Sequence, residues 1–214
     1  MSNEKKSQKR NIGKIFMSVG IVLLVAALSL VIYNLYDENR AQKTTASALK
    51  IIEESRKQNV KPEKEDDGKP QEQPVFEIAP NMAVPEKEID GYRYIGTLEI
   101  PRLGITLPIQ SEWSLPNLRV SPCRYQGSPY LDDMAICAHN YRCHFGDIGD
   151  LVEGDSIVFT DMDGNIFNYS VSYTELIDGY DIPRMSEGEW DLTLFTCTLS
   201  SVQRVTVRCV RETE

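Results

Sequence analysis

Histidine is nearly missing from this chain: His139 and His144 are the two in 214 residues. Lysine stops at Lys87, and every later basic residue is arginine. Residues 91–214 carry 9 arginines against 18 acidic groups, so the whole negative excess sits in the second half. Such a surface repels phosphate backbones and excludes nucleic acid as a partner. Cysteine is sparse, and its count is odd: Cys123, Cys137, Cys143, Cys197 and Cys209. Their irregular spacing does not make a disulfide framework, and in an exported domain at least one thiol stays free or pairs between molecules. An unpaired thiol outside the cell needs a reason, and nucleophilic chemistry is one. Also lacking after residue 89 is any helical periodicity beyond about three turns.

One long apolar run is present. Ile15–Tyr33 is nineteen residues without a charge, enough at about 1.5 Å per residue to span a hydrocarbon core of roughly 30 Å. Lys5, Lys6, Lys9, Arg10 and Lys14 precede it, while Asp37 and Glu38 follow it. The positive-inside bias therefore places residues 1–14 in the cytoplasm as a basic tail and residues 15–36 in the membrane, with the rest outside. A cleaved signal peptide fits less well, because its apolar region is usually shorter and ends in a small-x-small site. Residues 37–88 read as a juxtamembrane helix over 44–58, supported by Glu53 four before Lys57, followed by a disordered tether. The tether is the charged, Pro-rich stretch Lys61–Pro74. The folded domain is expected over 89–214, and it is expected to stay soluble and active without residues 1–74.

That domain punctuates as an all-β protein. Short β-rich runs recur at Tyr94–Ile100, Leu107–Gln110, Met134–His139, Ser156–Thr160, Ile166–Thr174, Asp191–Thr196 and Arg204–Val210, separated by Gly, Pro, Asp and Asn clusters. Asp163-Gly164 marks a hairpin. A barrel or sandwich follows, with short helical turns at Pro116–Leu118 and Ile148–Val152.

Cys197 ends one such strand where small polar residues begin, a position that presents a thiol from a rigid scaffold. A buried structural cysteine is the commoner fate of any single thiol. His139 also ends a strand, and a neighbouring imidazole is what a cysteine nucleophile needs to hold its thiolate and protonate a leaving amine. His144 stands in a loop, where a solvated or bracing role is expected. Arg204 opens the last strand, and a fixed guanidinium there can donate to an oxyanion or clamp a substrate backbone. Arg208, four residues on, shares its face. Spacing does not choose between the two arginines.

These residues resemble the sortase family. Thr193-Leu194-Phe195-Thr196-Cys197 matches its T-L-x-T-C signature, Ile136-Cys137-Ala138-His139 resembles its histidine strand, and Arg204 matches the arginine opening its final strand. Tyr94-Ile95-Gly96-Thr97-Leu98-Glu99-Ile100 resembles its first strand, and the likeness covers about residues 89–211. The resemblance implies a closed eight-stranded β-barrel with His139, Cys197 and Arg204 as the catalytic set. It also implies cleavage of an L-P-x-T-[GA]-like sorting signal through a Cys197 thioester, with transfer to a peptidoglycan-precursor or pilin amine at the surface of a Gram-positive cell.

The pilus-polymerising class often carries an Asp-Pro-aromatic lid and a second, C-terminal membrane segment, and neither is expected here. Leu176–Trp190 is too short for the long-helix class. A housekeeping-like or sporulation-associated class remains. No cofactor is expected. Some sortases bind calcium through acidic groups before the catalytic strand, where Glu175, Asp178, Asp181, Glu187 and Glu189 stand, but a solvated acidic loop is the plainer reading. Two rival readings are a zinc site from Cys137, His139, Cys143 and His144, and a non-enzymatic surface scaffold. Val75–Asp90 could fold over the groove as a lid.

Overall fold

The computed structural model describes residues 2–59 and 75–212. The chain divides into two compact units, Met1–Asn39 and Arg40–Glu214. Helix α1 (Ser2–Asn59) contributes to both, and its last turn carries Arg56 and Lys57, cations that suit a helix C-terminus. In the first unit, every side chain from Ile15 to Tyr36 is exposed. This stretch is long and apolar enough to cross a membrane and fits a single-pass anchor. The helix expected over 44–58 lies within α1, and the tether expected over Lys61–Pro74 lies outside the described residues.

The second unit is an all-β barrel. After α2 (Val75–Ile78) come β1 (Lys87–Ile89), β2 (Tyr92–Ile100), β3 (Ile105–Gln110), α3 (Leu115–Leu118), β4 (Cys123–Gln126) and β5 (Met134–Ala138). Then follow β6 (Ser156–Asp161), β7 (Ile166–Asp178), α4 (Ile182–Ser186), β8 (Leu192–Cys197) and β9 (Gln203–Arg211). Strands β2, β3, β4, β5, β8, β9, β7 and β6 neighbour one another in that order, and β6 returns to β2, so eight strands close the barrel. Strand β1 is a ninth, added to the start of β2. At the closing seam Gly96 pairs with Asp161, and a Cβ there would meet the Thr160 carbonyl at 2.2 Å, so only glycine fits.

Strand alternation sorts the side chains. Leu98, Ile136, Phe159, Leu194 and Val207 fill the interior. A second cluster, Cys123, Ala135, Cys137, Ile177, Met185 and Phe195, lies on the opposite face of the same sheet. The sequence reading begins the domain at residue 89, but the compact unit reaches further back. Phe76 joins the barrel core and stacks on Tyr130 at 5.0 Å, while Ala48 and Ile52 of α1 pack with Ile89 and Tyr94. Phe76 is thus core rather than a lid residue.

Strands β1 and β4 were not visible as apolar runs. The first is a three-residue edge and the second a four-residue strand held to β3 by one pair. Asp90-Gly91 could have announced β1: both residues have positive φ, 51° and 82°, as a two-residue type I′ hairpin requires.

The β6–β7 hairpin turns on a buried carboxylate. Asp161 is fully buried and accepts from Tyr130 Oη at 2.7 Å, from the Asp163 and Asn165 amides at 2.9 Å each, and from Asn165 Nδ2 at 2.7 Å. Asp161→Ala leaves those donors without an acceptor. It should destabilise the barrel by about 2–4 kcal/mol, read as a lower thermal midpoint, while Cys197 alkylates at the wild-type rate in the folded protein.

Candidate active site

Register decides which residues meet. Strands β5 and β8 run parallel with Ala138 opposite Thr196, and β8 runs antiparallel to β9 with Cys197 opposite Arg204. Met134, Ile136 and Ala138 face the core, as do Leu192 and Leu194. By alternation Cys137 and His139 leave β5 on the outer face, as Phe195 and Cys197 leave β8. His139, Cys197 and Arg204 therefore emerge together at three neighbouring strand ends, and all three line one cleft of about 320 Å³. Its apolar walls include Trp113, Leu118, Tyr125, Met185 and Phe195. These wall residues come from separate segments, and no local pattern in the sequence joined them.

Thr196 fastens the arrangement. Its buried hydroxyl donates to the Ala138 carbonyl at 2.9 Å, tying the residue before the thiol to the residue before the imidazole. The other threonine of the T-L-x-T-C run, Thr193, accepts from Arg208 Nη1 at 3.1 Å. Both threonines were legible as a motif, but their partners were not.

The two arginines differ in surroundings. Arg204 is half-buried at the cleft, its Nη1 donating to the Ser201 and Gln203 carbonyls at 3.0 and 3.1 Å. Gly179 makes room for it, since a Cβ there would stand 2.9 Å from that nitrogen. Arg208 is 2% exposed. It donates to Glu175 at 3.0 Å, to the Met185 carbonyl at 3.3 Å and to the Arg184 carbonyl, so it holds α4 and β7 to the barrel wall.

The thiols also separate by environment. All five are free. Burial pushes Cys123 and Cys209 well up from the usual thiol range, and Cys137 up to about 12, with neighbouring Cys197 adding to the last shift. These three stay protonated and inert. Cys197 and Cys143 are the partly exposed pair.

His144 is not solvated. It is fully buried, and burial pushes its pKa down to about 4, helped by the nearby His139. Cys137 Sγ points to the Cys123 carbonyl and His144 Nε2 to Thr45, and among the described residues no three metal-binding side chains converge. Of the acidic residues weighed for calcium, Glu175 is taken by Arg184 and Arg208. Asp178 accepts from the Tyr180 amide and Asp181 from the Arg184 amide.

A sortase family model matches residues 98–212. Among solved structures, sortase A from Corynebacterium diphtheriae aligns at 22% identity with TM-score 0.53, covering 57% of this chain and 62% of that one. A Clostridium perfringens sortase D5 transpeptidase aligns at 20% identity and TM-score 0.50, covering 56% and 79%. Clostridium perfringens sortase C, solved with the C-terminal cell wall sorting motif, aligns at 23% and 0.50, covering 61% and 74%. Likeness at this identity is likeness of fold. No curated protein sequence matches the chain. The match of the family model over more than half the chain places it in the sortase family, and the chain spans less than two thirds of the length of the Corynebacterium diphtheriae sortase A.

Arg208→Ala should cost about 3–5 kcal/mol of stability, because Glu175 keeps only its exposed partner Arg184 and the Met185 and Arg184 carbonyls lose a buried donor. Arg204→Ala should change stability by no more than about 0.5 kcal/mol. Thermal melts of the two variants check this split.

His144 gives the sign of a pH effect. Its folded pKa lies below the ordinary 6.5, so the unfolded chain binds the extra proton. The stability it contributes is full above about pH 6.5 and is lost as pH falls toward about 4. Melting at about pH 7 and about pH 5 should show that loss, and His144→Gln should flatten it.

Proposed function

We propose that this protein is a membrane-anchored cysteine transpeptidase that cleaves an L-P-x-T-[GA]-like sorting signal and transfers its acyl part to an amine. The observation carrying this reading is the register that brings His139, Cys197 and Arg204 to one apolar-walled cleft. The Cys197 thiolate attacks the carbonyl of the Thr–Gly or Thr–Ala bond. Arg204, within the same cleft, donates to the developing oxyanion or to the substrate backbone. As the tetrahedral adduct collapses, His139 gives its proton to the leaving amine, and a thioester remains on Cys197. An acceptor amine then attacks the thioester and loses its proton to His139, and Cys197 leaves as the thiolate beside the imidazolium. No metal or cofactor enters this sequence. The walls formed by Trp113, Tyr125, Met185 and Phe195 suit the apolar Leu-Pro end of such a signal. A sorting motif is also what the Clostridium perfringens sortase C structure was solved with.

The acceptor is an amine of a peptidoglycan precursor or of a pilin. The basic flank before Ile15 orients the N-terminus to the cytoplasm and the barrel to the outside, at the cell membrane. The connection between β7 and β8 holds only the five-residue α4, which favours a housekeeping-like or sporulation-associated class over the long-helix class.

The test uses the full chain in detergent micelles, mixed with an L-P-x-T-G peptide library and read by intact mass. The wild type should gain the acyl part of its preferred peptides. Cys197→Ala should gain nothing, and His139→Ala should form adduct at least about 10²-fold more slowly. Arg204→Ala should lose about 10²–10³-fold in kcat. An adduct on Cys197→Ala would overturn the nucleophile assignment.

A further inference from the structure

The second half of α1 meets the sheet through polar contacts centred on two points, Ser55 Oγ accepting from Lys87 Nζ of β1 beside the second of them, all within the unit Arg40–Glu214. The first is Thr45, which is 6% exposed. Its Oγ1 donates to the Val120 carbonyl at 3.1 Å and lies 3.2 Å from His144 Nε2. A hydroxyl has one proton. With that proton on Val120, Thr45 must accept from an Nε2–H, which selects one tautomer of His144 and leaves the buried Nδ1 without a partner. The second point is Arg56, whose guanidinium donates to Thr97 Oγ1 at 2.9 Å and to the Thr160 and Asp161 carbonyls at 2.7 and 2.8 Å. The two points are about 16 Å apart along the helix. Between them, Ala48 and Ile52 pack on Ile89 and Tyr94.

The first point leads to the active site. The His144 ring lies 5.5 Å from Tyr141, and the Tyr141 ring 5.0 Å from His139. The loop closes on itself through the backbone. The Phe145 amide donates to the His139 carbonyl at 3.3 Å, and the His144 and Gly146 amides donate to the Tyr141 carbonyl at 2.9 and 2.8 Å. Whatever fixes His144 therefore fixes the loop that carries His139.

We propose that residues 41–56 are a strut of the active site, in which Thr45, through His144, acts as a positioning residue for His139. The proposal rests on His139 being the acid and base of the reaction above. It also gives α1 two roles: the first unit fits an anchor, and the helix from Ala41 onward belongs to the domain that does the chemistry. The expectation that residues 1–74 are dispensable conflicts with this packing. Their removal would uncover His144 and strip the Arg56 donors from the β2–β6 seam.

The test compares Thr45→Val, which keeps the shape and removes the hydroxyl, with Thr45→Ser, which keeps the hydroxyl, both in the full chain in detergent. Thioester formation is followed by intact mass against peptide concentration, and backbone exchange of residues 139–146 by deuterium uptake. Thr45→Val should lower kcat about 10-fold or more with peptide KM unchanged, because the groove walls are untouched, and should speed exchange over residues 139–146. Thr45→Ser should restore both. A Thr45→Val protein with wild-type kcat, or with unchanged exchange in that loop, would overturn the proposal, as would equal losses in the valine and serine variants. A wild type that forms no thioester, while the valine variant still loosens the loop, would remove the proposed reaction and leave the strut standing.

Discussion

The structure depends on one pairing, the parallel alignment of β5 with β8 continued antiparallel into β9. A shift of one residue in either ladder would turn every outward side chain inward. His139 and Cys197 would then no longer leave the barrel on a common face, and Arg204 would no longer lie opposite the thiol. The Thr196 hydroxyl on the Ala138 carbonyl is where this register is fixed closest to the site. Parallel strands need a long crossover, and here residues between β5 and β8 build the β6–β7 hairpin that closes the barrel. Closure and the meeting of thiol with imidazole are thus consequences of the same topology.

The same sheet separates structural groups from those free to react. On its inner face, Cys209 lies in the barrel core, and on its outer face Cys123 and Cys137 share a second apolar cluster, with Cys137 lining the cleft. Burial keeps all three protonated. Arg208 and Arg204 stand four residues apart on one strand face, yet one is bound into the wall by Glu175 and two carbonyls while the other rims the cleft. Their partners, rather than residue type, set one into the wall and leave the other at the cleft.

Much of this was legible in the sequence. The β-rich runs Met134–His139 and Asp191–Thr196 located the two strands that present the imidazole and the thiol, and the apolar run before Asp37 stood out by length alone. Other parts were not legible, for physical reasons. Strands β1 and β4 are too short to show a period. The stripe of α1 that meets the barrel is made of Ala41, Thr45, Ala48 and Ile52, mostly small or polar side chains with a weak apolar signal. His144 sits among loop-forming residues, and its burial beside Thr45 of α1 could not be read from them. Spacing put Arg204 and Arg208 on one face and the family resemblance singled out Arg204, but the partners that hold each arginine were not legible.

The most direct measurement is a crystal structure of the chain with a Leu-Pro-Ala-Thr chloromethyl ketone bound covalently. The account predicts a bond to Cys197 Sγ, the peptide running along Trp113, Tyr125 and Phe195, and the Arg204 guanidinium turned from the Ser201 and Gln203 carbonyls to the ketone oxygen or peptide backbone. Attachment to another cysteine, or an Arg204 still on those two carbonyls with the peptide out of its reach, would contradict it.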